Sequence, residues 1–252
     1  MGKLDGKVAI VTGAGQGIGR AVSIVLAKDG ASVVVAEIDS KSGASTADEI
    51  KASGGRALAI KCDVSKREQV DAVVAATVKE FGTVDIMVNN AVAATVGIPL
   101  EKVTDEDIAL VHKTGFMGTF YFMQACFPYM KNRGGKIINF GSTAGTEGFA
   151  GMAAYASAKE AIRALTRVGA RDWGKYKINV NTICPAALTP GMLTYKKEQP
   201  ESFKAVEKMT PLGRLGDPEK DIAPVVLFLA GPDSDYVTGM TIMVDGGAYT
   251  LR

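Results

Sequence analysis

A short apolar run that passes through a glycine-rich turn into a helix most constrains how this chain can fold. Residues 8–11 are Val, Ala, Ile and Val, a run too short for a helix and typical of a buried strand. Thr12 then opens a turn, and apolar residues follow at helical spacing up to Gly30. The turn carries Gly13, Gly15, Gly17 and Gly19. A strand, a glycine turn and a helix in this order indicate a dinucleotide-binding site.

The chemistry of such a turn lies in its backbone. Glycine has no side chain, so the main chain can approach a pyrophosphate closely, and the phosphate charge then lies at the amino end of the helix. A glycine pattern alone is a weak indicator. Between a strand and a helix it is much more specific, and we expect a cofactor to bind here.

Apolar strands and amphipathic helices alternate along the rest of the chain. The predicted strands include residues 31–36, 57–62, 84–88, 136–140, 178–184 and 240–244, and the predicted helices include 40–53, 105–130, 152–175 and 218–229. This alternation predicts parallel strands with crossover helices, and it brings the carboxyl ends of the strands to one ligand-binding edge. The predicted fold is α/β: a single-domain Rossmann fold over residues 1–252, with a doubly wound, mostly parallel seven-stranded sheet and helices on both faces.

Several helix starts carry recognisable signals. Residues 65–68 (Ser-Lys-Arg-Glu) match a capping box, residues 104–107 (Thr-Asp-Glu-Asp) match a capped start, and Asp217-Pro218 precedes the last helix.

The segment from about 186 to 211 has no clean period and is long for a compact domain. Loops of this length are usually lids or binding loops, and we predict a substrate loop there.

An acidic strand end favours one cofactor. Glu37 ends the second predicted strand, eighteen residues after Gly19. A carboxylate there can accept hydrogen bonds from both hydroxyls of an adenosine ribose and would repel a 2′-phosphate, so the pattern favours NAD over NADP. Two alternatives stay open: Glu37 is a solvated strand end, and the nearby Asp39 is only a helix cap.

Composition excludes several classes of protein. The 252 residues are 47% hydrophobic, enough for one large core, and 22% charged with a net charge of +2 and no basic stripe. Nucleic acid and anionic membranes are therefore not expected as partners. Three scattered cysteines and one histidine favour free thiols in a reducing compartment and no metal site. No segment resembles a secretion signal or a membrane span, so we expect a soluble, cytoplasmic protein.

A tyrosine and a lysine stand one helical turn apart in the helix predicted over residues 152–175. Tyr155 and Lys159 are an i,i+4 pair on one face, and Ser142 lies thirteen positions before Tyr155, after a predicted strand. A phenol ionises near pH ~10, and a neighbouring ammonium stabilises the phenolate, so such a pair can transfer protons. The spacing alone also arises by chance on exposed helices.

Together these motifs resemble the short-chain dehydrogenase/reductase family of the ~250-residue type, a length that fits one domain. The resemblance covers essentially the whole chain. The family's motifs occur here in the family's order: the glycine turn, Asp63, Asn89-Asn90-Ala91, Ser142 and Tyr155-x-x-x-Lys159. The cofactor contacts that it implies are Gly13, Gln16, Gly17, Ile18, Gly19, Glu37, Asp63, Val64, Asn90, Tyr155, Lys159, Pro185 and Thr189.

The resemblance implies hydride transfer between the C4 atom of NAD and the carbon of a secondary alcohol or ketone. Tyr155 would exchange the proton with the substrate oxygen, Ser142 would hold that oxygen, and Lys159 would lower the pKa of Tyr155 and hold the nicotinamide ribose. No metal is implied. Members of the family are usually homotetramers paired through two long helices, here about 105–130 and 152–175.

Three positions depart from the family pattern. Gly115 stands where the family usually has a catalytic asparagine, Val92 replaces the glycine after Asn89-Asn90-Ala91, and Ala186 replaces the glycine after Pro185. In the family, that asparagine holds a water that links the lysine to bulk solvent. Glycine has no side chain to bind this water. Either Thr114, Lys113 or an extra water takes the place of the asparagine, or catalysis is impaired. We interpret His112 as a partly exposed helix residue that lies one turn before position 115, too early to replace the asparagine. Gly115→Asn is then expected to keep or raise activity.

The leading hypothesis is an NAD-dependent alcohol dehydrogenase or ketoreductase, and the alternative is an impaired sensor that binds NAD(H) without turnover. Apolar residues suggest a cyclic or steroid-like substrate: Leu188, Met192, Leu193, Tyr195, Phe203, Val92, Thr143, Phe149 and Met152. No arginine cluster offers a handle for a phosphate, which disfavours a carrier-bound ketoacyl substrate. The identity of the substrate and the preferred direction are beyond what these patterns determine.

Overall fold

A computed structural model describes residues 2–250, so that residues 1, 251 and 252 of the predicted domain lie outside it. Its centre is a seven-stranded sheet in which every pairing is parallel, with the order β3-β2-β1-β4-β5-β6-β7. The strands are β1 (Val8–Thr12), β2 (Ser32–Glu37), β3 (Arg56–Lys61), β4 (Ile86–Asn89), β5 (Gly135–Phe140), β6 (Ile178–Pro185) and β7 (Thr241–Val244). This topology confirms the doubly wound Rossmann sheet that the alternation predicts.

Helices cover both faces of the sheet. They are α1 (Gly17–Lys28), α2 (Ser40–Ala52), α3 (Arg67–Phe81), α4 (Asp105–Val111), α5 (Gly118–Met130), α6 (Thr143–Glu147), α7 (Ala153–Trp173), α8 (Pro190–Glu198), α9 (Pro200–Met209) and α10 (Ala223–Ala230). Because strand side chains alternate, Ala9 and Val11 of β1 pack into a core with α1, α2 and α10, whereas Ile10 packs into a second core with α3, α5 and α7.

The strand order reverses between β1 and β4, which are neighbours at the centre of the sheet. Ligands of open parallel sheets bind outside the carboxyl ends of the strands at such a switch point. There the Asn90 side-chain amide donates to the carbonyls of Thr12 (2.9 Å) and Gly13 (3.1 Å). This side chain therefore ties the end of β4 to the start of the glycine turn.

The helix that follows β3 starts differently from the prediction. It begins at Arg67 with Lys66 as its cap, and no side chain caps it, so the capping box over residues 65–68 is wrong. The Ser65 hydroxyl donates instead to Asp63 Oδ1 at 2.7 Å. The start at Thr104 is confirmed, because the Thr104 and Asp107 side chains bond each other's backbone reciprocally.

The segment predicted as an irregular substrate loop is largely helical. It forms α8 and α9, each of which has a proline in its first turn. The Thr189 hydroxyl caps α8 by accepting from Met192 N at 3.3 Å. Proline suits the first turn, where its missing N–H is not needed, so Pro190 and Pro200 mark helix starts within the predicted loop.

The long helix predicted over residues 105–130 is continuous but not uniform. Between α4 and α5 lies a π-helical segment, His112–Met117, with the buried Gly115 inside it. Such wide turns are rare and frequently occur at functional sites. The unusual glycine thus lies in the one irregular part of this helix.

Candidate active site

The glycine turn after β1 has the geometry that a pyrophosphate requires. Gly13 and Gly17 have φ values of +61° and +55°, a region that side chains rarely adopt. A Cβ on Gly19 would lie 2.2 Å from the Gly13 carbonyl oxygen, so only glycine allows this approach of helix to turn. This cradle, at the amino end of α1, fits the diphosphate of a dinucleotide.

Glu37 and Asp39 have different surroundings. Glu37 Oε2 accepts from the Gly15 amide at 2.9 Å, which places its carboxylate against the glycine turn. Asp39 caps α2 by accepting from the amides of Lys41 and Ser42, and these bonds lower its pKa. Glu37 therefore lies against the glycine turn, and Asp39 is a helix cap.

The other predicted cofactor residues lie along the same edge. Asp63 follows β3, Pro185 ends β6, and Thr189 caps α8. A Cβ on Gly17 would lie 3.2 Å from Pro190 Cδ, so the start of α8 contacts the glycine turn. Gln16 is the exposed cap of α1, Ile18 is half-buried in its first turn, and Val64 is buried beside α5.

The catalytic candidates meet at the carboxyl ends of β5 and β6. Lys159 is only 3% exposed, and its ammonium donates to the Phe140 carbonyl at the end of β5, at 2.8 Å. Its Nζ atom lies 5.4 Å from the centroid of the Tyr155 ring. Ser142 caps the short helix α6, and its hydroxyl accepts from Ala144 N at 3.1 Å. The structure thus brings together the three residues predicted from the motif.

Burial dominates the electrostatics of this group. It raises the pKa of Tyr155 above its usual 10, whereas the Ser142 hydroxyl, a hydrogen-bonding neighbour of the phenol, acts in the opposite direction. Burial also lowers the pKa of Lys159 from 10.5 to about 8. We expected Lys159 to lower the pKa of Tyr155. Among the chain's own groups, desolvation of the phenol is the largest influence, so the pKa shifts upward.

A buried polar network supports the catalytic helix from below. The Asn89 amide donates to Asn139 Oδ1 (2.9 Å), the Asn139 amide donates to Thr166 Oγ1 (2.9 Å), and the Thr182 hydroxyl donates to the same Thr166 oxygen (2.7 Å). Thr166 lies two helical turns after Lys159 on one face of α7. The network therefore links β4, β5 and β6 to the helix that carries the lysine.

Two of the polar side chains next to Gly115 have other partners. The Thr114 hydroxyl donates to the Leu110 carbonyl (2.8 Å) and accepts from Ala93 N (3.0 Å). His112 is partly exposed, as we interpreted it, and its Nε2 lies 3.0 Å from the Ser157 hydroxyl. Lys113 is exposed. Thr114 and His112 are thus engaged in local contacts.

Among the residues predicted to contact the substrate, one is placed differently from the prediction. Two further residues, Tyr249 and Cys184, lie near the predicted ones. Phe203 is 1% exposed, so it packs inside and is not available to a ligand as predicted. Phe149 contacts Tyr249, with ring centroids 5.3 Å apart, which joins the segments after β5 and β7. Cys184, beside Lys159 and Tyr155, also escaped the sequence reasoning. Its place directly before Pro185, at a strand end, was the available signal.

Comparisons with known proteins agree with this geometry. A family model described as Enoyl-(Acyl carrier protein) reductase matches residues 13–249. A 12α-hydroxysteroid dehydrogenase of Clostridium sp. is 39% identical over 98% of both chains. A 3-oxoacyl-(acyl-carrier-protein) reductase of Vibrio cholerae is 39% identical over 98% of this chain and 99% of that protein.

One solved structure is especially similar. It is a 7α-hydroxysteroid dehydrogenase complexed with NADH and 7-oxo glycochenodeoxycholic acid. The two chains superpose with a TM-score of 0.92 at 37% identity, covering 97% of this chain and 94% of the other.

Within residues 2–250, no helix has both the length and the apolar character needed to cross a membrane.

Proposed function

Because the chain belongs to the short-chain dehydrogenase/reductase family, we propose that it interconverts a ring-borne secondary alcohol and its ketone with NAD(H). The observation that carries this proposal is the buried Lys159 ammonium beside the Tyr155 ring, at the edge where the glycine turn also lies. A buried charge next to a phenol is costly to keep and serves proton transfer.

The residues at the edge fit a dinucleotide. The glycine turn would hold its diphosphate, Glu37, which lies against that turn, would bind the adenosine ribose, and Asp63 and Val64 would border the adenine. Asn90, Pro185 and Thr189 would border the nicotinamide half. When bound, the nicotinamide accepts or donates the hydride, and the protein supplies orientation and a proton site.

Three side chains perform the proton chemistry. The Ser142 hydroxyl donates to the substrate oxygen and fixes its position. Tyr155 Oη takes the alcohol proton during oxidation and returns it during reduction. Lys159, held by the Phe140 carbonyl, favours the ionised phenol when its ammonium is charged.

The substrate class follows from the apolar residues and from the relatives. The partly exposed Val92, Phe149 and Met152 offer apolar surface near this end of the sheet, which suits a cyclic or steroid-like ring system. Two similar proteins are named as hydroxysteroid dehydrogenases. The sensor alternative is not favoured, because the relatives are named as dehydrogenases and reductases.

A turnover assay tests this function. NAD and a panel of alcohols are mixed with the protein, and NADH absorbance is followed. The panel contains hydroxysteroids, simple cyclic alcohols, linear alcohols and a carrier-bound 3-hydroxyacyl thioester. We expect the highest kcat/KM with the ring alcohols. Preference for the thioester would contradict the proposed substrate class. Tight NAD binding without turnover of any alcohol would contradict the proposal that the protein is an enzyme.

Assembly and location belong to the same proposal. Apolar side chains remain exposed on or near the two long helices: Ile108, Leu110, Tyr129 and Val168. A homotetramer paired through these helices would cover them, and sedimentation measures its mass. The cysteines at 62, 126 and 184 are buried and unpaired, which fits a reducing cytoplasm.

A further inference from the structure

Two of the unusual residues lie in contact, although they are far apart in the sequence. Val92 follows β4, and Gly115 lies in the π-helical segment. A Cβ built on Gly115 would lie 3.2 Å from Val92 Cγ2, closer than side chains normally pack. The valine methyl group therefore occupies the volume into which a side chain at position 115 would project.

The same volume borders the catalytic helix. The Cβ position at Gly115 lies 3.9 Å from Ala158 Cβ and 4.0 Å from Ile162 Cδ1, both on α7 beside Lys159. Val92 and Tyr155 both pack against a small apolar cluster of Val111, Ala154 and Ala158. On this side, Tyr155 faces hydrocarbon.

Titratable groups lie near Tyr155 and Lys159 on their other sides. Cys184 reaches it from β6, and that thiol is itself near Glu160, Arg163 and Asp245. Ser142 lies at the end of β5. From the π-helical segment, His112 is bonded to Ser157.

We propose that Val92 and Gly115 form a matched pair, in which the valine fills the volume of a side chain at position 115 and keeps water from that side of Tyr155. Val92 is thus a positioning residue for the reaction. This inference rests on the proposed function for its catalytic part, whereas its packing part stands without it.

The pairing changes what Gly115→Asn is expected to do. The sequence suggested that asparagine keeps or raises activity, but Val92 Cγ2 stands in its way. Val92→Ala removes both γ-methyl groups of the valine, which admits water and makes room for asparagine. Hydration favours the phenolate and the ammonium, so the pKa of Tyr155 falls toward its ordinary value.

A double-mutant cycle tests the packing. Melting temperature and kcat are measured for wild type, Val92→Ala, Gly115→Asn and the double variant. We expect Gly115→Asn alone to lower kcat at least about tenfold and to lower the melting temperature, and Val92→Ala in the same chain to restore much of both losses. Additive losses, or a Gly115→Asn variant that behaves like wild type, would overturn the pair.

The pH profile tests the exclusion of water. In the direction of alcohol oxidation, Val92→Ala should move the rising limb of kcat to lower pH by at least about half a unit. Val92→Thr keeps the volume, adds a hydroxyl and should shift the limb in the same direction. Val73→Ala, which truncates a buried valine on α3, should lower stability without moving the limb.

The outcomes separate this inference from the proposed function. An unmoved limb in both Val92 variants overturns the exclusion of water, even if the enzyme is active. Wild-type protein that turns over no alcohol overturns the proposed function, while the melting temperatures of the cycle still decide the packing.

Discussion

The two halves of the candidate site keep their charged groups in different surroundings. On the side where we propose that adenosine binds (the adenosine side), the charged groups are partly exposed and paired: Glu37 accepts from Gly15, and Asp63 accepts from Ser65. On the catalytic side, the Lys159 ammonium is buried with the Phe140 carbonyl as its acceptor, and burial shifts the pKa values of both Lys159 and Tyr155.

This difference indicates two ways of building function. The adenosine side uses backbone geometry, which costs little because glycine makes the turn possible. The catalytic side keeps a charged group out of water, which destabilises the fold and prepares the group for proton transfer. Substitutions on the two sides should therefore change different quantities.

The largest effect is expected at Tyr155. Tyr155→Phe removes the proton-transfer group while keeping the ring, so kcat should fall at least about a thousandfold. The affinity for NAD should change by no more than about threefold. Pre-steady-state turnover and NAD titration measure the two quantities. Tyr121→Phe, at a half-buried tyrosine on α5, is the matched control and should keep kcat. A Tyr155→Phe enzyme with near-normal kcat would remove Tyr155 from the mechanism.

The next effect is a gain in stability. Lys159→Met should abolish turnover and raise the melting temperature at pH 7, because the depressed pKa corresponds to a penalty of about 3 kcal/mol. Loss of the bond to the Phe140 carbonyl offsets about 1 kcal/mol of it. Lys136→Met is the contrast: that lysine bonds Asp235 and Asn179, and its loss should destabilise. A lower melting temperature for Lys159→Met would contradict the buried-charge argument.

The pH dependence of that gain has a definite sign. The pKa of Lys159 is about 8 in the folded protein and near its usual 10.5 in the unfolded chain, which therefore binds the proton more tightly. The contribution of Lys159 to the free energy of unfolding is thus least favourable below pH 8 and improves up to about pH 10.5. The advantage of Lys159→Met should shrink across this window, as denaturant melts at several pH values would show.

The smallest effect concerns the adenosine side. A Glu37 carboxylate at the adenosine ribose, as we propose, would repel a 2′-phosphate, so kcat/KM should favour NAD over NADP by more than about tenfold. Glu37→Gln should reduce this ratio. Asp39→Asn, which weakens the cap of α2, should cost stability and leave the ratio unchanged. A wild-type preference for NADP would show that Glu37 does not read the ribose.

Much of the fold could be predicted from local pattern. The strands and most helices follow from apolar runs and helical spacing, and a parallel sheet follows from their alternation. Prediction failed at Ser65, which bonds Asp63 instead of capping α3, and at residues 190–209, where prolines begin two helices. The first failure concerns which partner a side chain takes, and the second concerns whether a segment without a clean period is helical.

The sequence by itself determined the glycine turn, the acidic strand end and the motif of Ser142, Tyr155 and Lys159, because each depends on residue type at short spacing. Tertiary structure alone decided that Lys159 bonds the Phe140 carbonyl and that Val92 fills the space beside Gly115. Burial and contact between distant segments depend on how strands and helices pack, and no local pattern contains that information.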